Sequence, residues 1–289
     1  MKKKIAKQKK GRQATQQARI DKQRTRRTSY APRANSQKNH LPETNILTLD
    51  KPQKLPENWT KDSLSKFLDD AEHNTMATYV NCRPQYQRLS DIDTVYRLMM
   101  DNLNQSSEFF AGFFLIRTHY SYLAANRLAL GGQVAEAFMV LRGCLENALY
   151  GLLVAFDTTR QEIWLRRHDD EASKKRVKEE FTIRKVMDHL KEIDERTQTI
   201  AKKLYDQTVD YGGHPNERSV TTQIDVTTDG CRTNFSADVF NVGNIPHLAC
   251  LKTAARIGVC CLDIFGHIFR SRYKILGIDV KLDQLRQGL

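Results

Sequence analysis

The sequence predicts an all-α fold, an antiparallel helical bundle with one small β-hairpin and a disordered basic N-terminal arm. Apolar residues recur at spacings of three and four along most of the chain after residue 59, as they do on the buried face of a helix. Glycine pairs and prolines separate these stretches, and 289 residues with a 40% hydrophobic content suffice for a large core. We expect an arm and linker over 1–58, a bundle over 59–275 and a C-terminal tail over 276–289.

The positive charge is concentrated at the N-terminus. Residues 1–40 contain 14 Lys and Arg and one acid, so they account for more than the net charge of +12, and the rest of the chain is close to neutral. Such a segment buries too little apolar surface to fold alone, so we expect it to be disordered. Its possible partners are nucleic acid, an anionic membrane surface, or none. The residues we expect to contact nucleic acid are Lys2, Lys3, Lys4, Lys9, Lys10, Arg12, Arg24, Arg26 and Arg27.

The first helices follow a proline-containing linker. Thr60 precedes a stretch with helical spacing and is the expected N-cap of the first helix, which breaks at residues 81–84. Ser90 is the expected cap of the second helix. Its apolar residues also follow helical spacing.

Two long apolar helices then form a predicted antiparallel hairpin. They extend over about 106–130 and 133–156, and Gly131-Gly132 connects them. Both show the four-three alternation of packed helices. The first stripe is Phe109, Phe113, Ile116, Tyr120 and Leu123, and the second is Val134, Phe138, Leu141, Leu145, Ala148, Leu152 and Ala155.

The second half of the chain contains further helices and a predicted β-hairpin. Two segments rich in β-branched residues, 219–226 and 231–235, flank the turn Thr228-Asp229-Gly230. The remaining helices are expected over 159–168, 171–192, 195–211 and 244–270, the last with Leu248, Leu251, Ala255, Leu262, Phe265 and Phe269 directed inward.

Arg142 and Glu146 interrupt the apolar pattern of the second long helix. Between Glu136 and Asp157 they are its only charged residues, and they lie one turn apart on the same face. Burial of two charges is costly unless they pair, so the pair is either a buried structural ion pair or part of a functional site. On the preceding helix, we expect Arg117 and Asn126 to reach the same polar pocket. We expect Arg127 and His119 to face solvent.

A third polar group follows the helix stop at Gly212-Gly213. His214 precedes Pro215, so a constrained turn holds it, and a histidine there can act as a general acid or base near neutral pH or simply cap the helix. Tyr211 and Asn216 flank it as candidate binding residues. Arg142, Glu146 and His214 are therefore the candidate catalytic residues.

Two resemblances accompany these motifs. The block Leu141-Arg142-Gly143-Cys144-Leu145-Glu146, followed by Asp210-Tyr211-Gly212-Gly213-His214-Pro215-Asn216, resembles a bacterial all-helical family known as a domain of unknown function. That resemblance covers about residues 90–270 and implies a helical fold without a particular activity. Arg184 and His189 have the spacing found in HEPN ribonucleases, which are also helical bundles, although Lys185 replaces the polar residue common after that arginine.

Other chemistries lack their sequence signals. The six cysteines form no Cys-x-x-Cys pair, and His247 with Cys250 has no second pair at zinc spacing, so we expect no metal. No Walker loop, dinucleotide-binding glycine motif or serine-hydrolase elbow is present, and we expect no cofactor. No export signal or membrane span is apparent either, so we expect a cytoplasmic protein with reduced thiols.

Two functions are compatible with these observations. The first is a binding or regulatory helical protein whose basic arm contacts nucleic acid. The second is a metal-independent ribonuclease in which His214 is the acid or base and Arg142 holds a phosphate. An enzyme requires Arg142, Glu146 and His214 to meet in an open cleft, whereas a structural pair would be sealed in the core.

Overall fold

The protein is a helical bundle. The structure, a computed structural model, describes residues 55–103, 108–213, 217, 221, 224–230 and 232–289. The chain divides into two units, residues 1–56 and 57–289, and the helices belong to the second. Within the described residues the all-α prediction is confirmed, with eleven α-helices and one two-stranded antiparallel sheet. They are α1 (Ser63–Asn81), α2 (Arg83–Asp101), α3 (Phe109–Leu130), α4 (Val134–Val154), α5 (Thr158–Leu165), α6 (Glu171–Glu180), α7 (Ile183–Ile193), α8 (Glu195–Thr208), the π-helical turn π1 (Val209–Gly213), β1 (Ile224–Asp229), β2 (Arg232–Ala237), α9 (Ile245–Ile268), α10 (Arg270–Leu276) and α11 (Ile278–Arg286).

The first two helices do not begin at the residues predicted from the sequence, Thr60 and Ser90. Asp62 caps α1 in place of Thr60, because its carboxylate accepts the backbone N–H groups of Leu64 and Ser65 at 3.0 and 2.9 Å. The second helix begins at Arg83 and not after Ser90, with a proline in its first turn. A proline is tolerated there because its missing N–H would have no partner within the helix.

The α3–α4 hairpin and α9 form the centre of the bundle. The predicted α4 stripe is buried along its whole length, from Val134 to Ala155. Of the described helices, α4 alone is long and apolar enough to cross a membrane, and 61% of its most apolar window is buried inside the protein. That burial is typical of the core helix of a soluble bundle.

The apolar stripe of α3 lies on the opposite side from the one that packs into the core. The core side carries Ala111, Leu115, Thr118 and Tyr122. Of the stripe, Ile116 is partly buried and the others, Phe109, Phe113, Tyr120 and Leu123, are exposed. The helix is apolar on both sides, so spacing alone could not decide which side faces inward.

The C-terminal residues fold onto the body. Residues 276–289 were expected to be a tail, but most of them form α11, with Ile278 and Leu282 buried. Gly277 connects α10 to α11 in the left-handed conformation (φ 64°), which glycine adopts without strain. In α9 the predicted inward residues are buried except Leu248, which is partly exposed.

The predicted β-hairpin is present with a shifted start. Strands β1 and β2 pair from Ile224 with Ala237 to Asp229 with Arg232, around the turn at Gly230. The expected strand residues 219, 220, 222, 223 and 231 lie outside the described residues. The expected helix over 171–192 is two helices, because Phe181 and Thr182 interrupt it.

An ion pair attaches α11 to α9. The guanidinium of Arg286 pairs with the carboxylate of Asp263, whose side chain is largely buried. Burial raises the pKa of Asp263, and the charge and hydrogen bond of Arg286 oppose that effect. Asp283 pairs with the same guanidinium from within α11.

We expect Arg286→Met to lower the free energy of unfolding by about 1–3 kcal/mol, because it leaves a buried carboxylate without its cation. The matched control is Arg270→Met, an exposed arginine nearby, which should change stability by less than about 0.5 kcal/mol. Adding Asp263→Asn to Arg286→Met should restore part of the loss. Urea unfolding measures all three variants, and equal effects of Arg286→Met and Arg270→Met would contradict the prediction.

Candidate functional site

Arg142 and Glu146 pair at the surface of the bundle. The Arg142 Nε donates to Glu146 Oε1 at 2.9 Å, and the two side chains are 32% and 33% exposed. The same face of α4 continues to Leu149 and Leu153, which are buried. The pair is therefore not the sealed core ion pair that the sequence left open. An exposed pair one turn apart stabilises a helix by only about 0.3–0.5 kcal/mol.

Tyr205 of α8 completes a three-residue cluster. Its hydroxyl donates to Glu146 Oε1 at 3.3 Å, and the Arg142 Cζ lies 5.3 Å from the centre of its ring. Burial, followed by the negative charge of Glu146, raises the pKa of Tyr205, so its hydroxyl stays protonated at neutral pH. The hydrogen bond and charge of Glu146 raise the pKa of Arg142 against the opposing effect of burial. We call Arg142, Glu146 and Tyr205 the arginine cluster.

The turn π1 rests on α4 beside the arginine cluster. The ring of Tyr211 stacks on Phe138, one turn before Arg142, with 5.4 Å between ring centres. Gly212 approaches α4 so closely that a Cβ atom there would lie 2.2 Å from the carbonyl oxygen of Ala135. Only glycine permits this contact. The chain then continues directly into His214.

The roles predicted for His214 and Asn216 fall outside the described residues and stay predictions. Tyr211, the third member of that motif, is half-buried against Phe138. Its ring is therefore part of the contact that holds π1 on α4.

Arg117 and Asn126 do not share a pocket. Arg117 is exposed and Asn126 is buried. Nine residues apart, they project from opposite faces of α3, because nine steps of about 100° amount to two and a half turns. The expected joint pocket is thus not formed by these two residues.

His119 is buried, whereas Arg127 faces solvent as expected. The His119 Nε2 contacts Asp93 Oδ1 at 2.6 Å, and the imidazole stacks on Tyr96. Burial raises the pKa of Asp93, but hydrogen bonds from Arg97 and His119 outweigh it and hold the pKa below its usual value. Asp93 was not identified from the sequence as the partner of His119. Asp93 lies on α2, and the packing of α2 against α3 brings the two side chains together.

Arg184 and His189 do not form a common site. Arg184 is fully at the surface and pairs with Asp188 at 3.7 Å. His189 is half-buried on another side of α7, where burial and the charge of Arg160 lower its pKa. The HEPN-like spacing therefore does not bring these two side chains together.

A second polar cluster was not anticipated from the sequence. Asp194 caps α8 by accepting the N–H and hydroxyl of Thr197 at 2.9 and 2.7 Å, and it also contacts His267 Nε2 at 3.2 Å. It borders a cavity of about 330 Å³ together with Arg256 and the Asp263–Arg286 pair. The carboxylates of Asp194 and Asp263 already have hydrogen-bond or ion-pair partners within the protein, so their contacts are those of a structural cluster.

The described cysteines are buried thiols. Cys144 and Cys261 lie with their sulfurs 4.0 Å apart, at hydrogen-bonding distance and without a disulfide bond between them. Burial raises the pKa of Cys260 and Cys261 well above that of a free thiol, which makes both poor nucleophiles. In the described part of the chain, no three His, Cys, Asp or Glu side chains are grouped so that they could hold a metal ion.

No protein-family model, curated protein sequence or solved structure matches this chain. The two resemblances therefore stay predictions, and the functional argument depends on the geometry of the arginine cluster.

We expect the double variant Arg142→Met with Glu146→Leu to lose at most about 1.5 kcal/mol of stability, since an exposed ion pair and a cation–π contact are each weak. Leu145→Ala, in the buried stripe of the same helix, should cost about 2–5 kcal/mol. Urea unfolding compares the two. A loss in the double variant as large as that of Leu145→Ala would show that the pair is structural.

Proposed function

We propose that this protein binds nucleic acid, with the basic arm supplying affinity and the arginine cluster contacting the bound strand. The observation that carries the proposal is the partly exposed side chain of Arg142, which pairs with Glu146 and lies over the ring of Tyr205. We expect the cluster to contribute little to stability, so a functional role better explains why α4 carries a charged pair in the otherwise uncharged stretch between Glu136 and Asp157.

The chemistry of the arginine cluster suits a phosphate group. A guanidinium is planar and permanently charged, and it recognises phosphate oxygens through directed hydrogen bonds. The contact with Glu146 at 2.9 Å and the ring of Tyr205 restrict its orientation, so less conformational entropy is lost when a ligand binds. An aromatic ring beside an arginine is also a common surface for unstacked bases.

The charge distribution supports a separate role for the arm. Residues 1–40 account for more than the whole net positive charge, whereas the remainder is almost neutral. Contacts between lysine or arginine and phosphates release counterions, so they add affinity without sequence preference and depend strongly on salt. In this proposal the arm recruits the strand and the arginine cluster positions it.

A cytoplasmic location is part of the proposal. The sulfurs of Cys144 and Cys261 lie 4.0 Å apart as free thiols with no disulfide between them. This suits a reducing compartment, where such thiols stay free. The burial of α4 within the bundle suits a soluble protein.

The binding test uses fluorescence anisotropy with a short single-stranded RNA. For the full chain, affinity should fall about a hundredfold or more between about 50 and 200 mM salt. Replacing the nine arm residues Lys2, Lys3, Lys4, Lys9, Lys10, Arg12, Arg24, Arg26 and Arg27 by Gln should abolish this dependence at unchanged length.

In the same assay Arg142→Met should weaken binding by about tenfold, whereas Arg270→Met, the surface control, should leave it unchanged. Salt-dependent binding that survives the nine arm substitutions would contradict the role of the arm. Equal affinities of Arg142→Met and Arg270→Met would contradict the role of the arginine cluster.

The second candidate function is metal-independent cleavage of the bound RNA. It is favoured by π1, which leads into His214 and rests on α4 next to the arginine cluster. In this reaction His214 removes the proton of a ribose 2′-hydroxyl, whose oxygen attacks the neighbouring phosphorus, and the bond to the 5′-oxygen breaks. The departing 5′-oxygen takes up a proton from solvent, so the products are a 2′,3′-cyclic phosphate and a 5′-hydroxyl. Arg142 would stabilise the negative charge on phosphorus oxygens during this step.

Cleavage is tested with labelled RNA in the presence of a chelator. The wild type should yield ends that carry a 2′,3′-cyclic phosphate, and His214→Ala should lower the rate by about a hundredfold or more without loss of binding. His189→Ala, at the other histidine considered, should cleave like the wild type. Absence of cleavage by the wild type, or full activity of His214→Ala, would contradict this candidate and leave the binding function standing.

A further inference from the structure

A row of apolar side chains on α3 lies open to solvent. We call Phe109, Phe113, Ile116, Tyr120 and Leu123 the outward stripe. Phe109, Phe113 and Tyr120 are 67%, 53% and 57% exposed, Leu123 is 36% exposed, and Ile116 between them is partly buried. Large aromatic side chains in such a row are unusual on the surface of a soluble monomer, where exposed apolar residues are mostly scattered.

The outward stripe is not an edge of the core. The opposite side of α3 already packs against the bundle, with Ala111, Leu115 and Tyr122 fully buried. A helix that is apolar on both sides is normally covered on both sides. Among the described residues, only one side of α3 is covered.

The exposed apolar patch extends beyond α3. Trp164 of α5 contacts Phe110 and Phe114 edge to face, with ring centres 5.8 and 5.4 Å apart, and it is 37% exposed. The outward stripe and Trp164 together expose about 500 Å² of apolar surface, taking about 150–250 Å² for each fully exposed aromatic side chain.

We propose that the outward stripe is the contact surface between two copies of this chain. Its residues alternate by four and three, which is the spacing at which side chains of one helix fit between those of a second. In a twofold-symmetric dimer the stripe of one copy faces the stripe of the other. The two helices then have the same spacing of apolar side chains, because they are identical.

The area of the patch also fits a dimer. Two such patches remove about 1,000 Å² of apolar surface from water, and because interfaces are roughly 60% apolar this corresponds to about 1,700 Å² of total buried surface. Stable interfaces bury about 1,200–2,000 Å² in total. The proposal concerns other residues than the arginine cluster and does not depend on the proposed function.

The experiment is sedimentation equilibrium of the full chain at up to about 50 µM, a concentration at which a micromolar dimer is largely formed. We expect a mass of twice 33.3 kDa for the wild type. Phe113→Glu should shift it to the mass of one chain, as should Tyr120→Arg. Leu64→Glu, at a 66% exposed apolar residue of α1, is the matched control and should stay dimeric.

Each outcome bears on the proposal. Circular dichroism verifies that both stripe variants keep the helical content of the wild type. If one of them fails to fold, the other still provides the test. A monomeric wild type, or stripe variants that remain dimeric, would overturn the proposal. A monomeric wild type that co-sediments with anionic vesicles, and loses this property in Phe113→Glu, would replace it with a membrane-binding surface.

Discussion

The inner side of α3 lies directly on two glycines, and the arrangement of the central helices depends on this close packing. A Cβ atom on Gly258 of α9 would lie 2.7 Å from the ring of Tyr122, and one on Gly151 of α4 would lie 2.9 Å from Phe114. The hydroxyl of Tyr122 donates to Leu89 of α2. One aromatic side chain thus joins three helices, and larger residues at these positions would separate them.

This packing determines which surfaces remain for function. With α3 and α9 packed against α4, α7, α8 and π1 cover another part of α4. Tyr205 thereby reaches Arg142 and Glu146 where α4 emerges at the surface. Tyr205 of α8 contacts the pair, whose two side chains stay partly exposed. The same packing leaves most of the outward stripe of α3 exposed to solvent.

Local sequence signals predicted much of the secondary structure and part of the site. The Gly131-Gly132 turn and the α4 stripe predicted the central hairpin, and the Arg142–Glu146 pair was found from its spacing because helical geometry alone brings residues one turn apart together. Tyr205 was not found, since its contact with Glu146 spans 59 residues and depends on how α8 packs. His119 was assigned to solvent for a similar reason, because Asp93 reaches it from another helix.

The sequence by itself determined the helical class, the separation of a basic arm from a nearly neutral body and the pairing of Arg142 with Glu146. These follow from composition and from interactions within one or two helical turns. Only the tertiary structure decided which side of α3 faces the core, that residues 278–286 form a packed helix, and that the Arg142 pair lies at the surface. Helical spacing shows that a face is apolar but not what covers it, and that depends on contacts between distant parts of the chain.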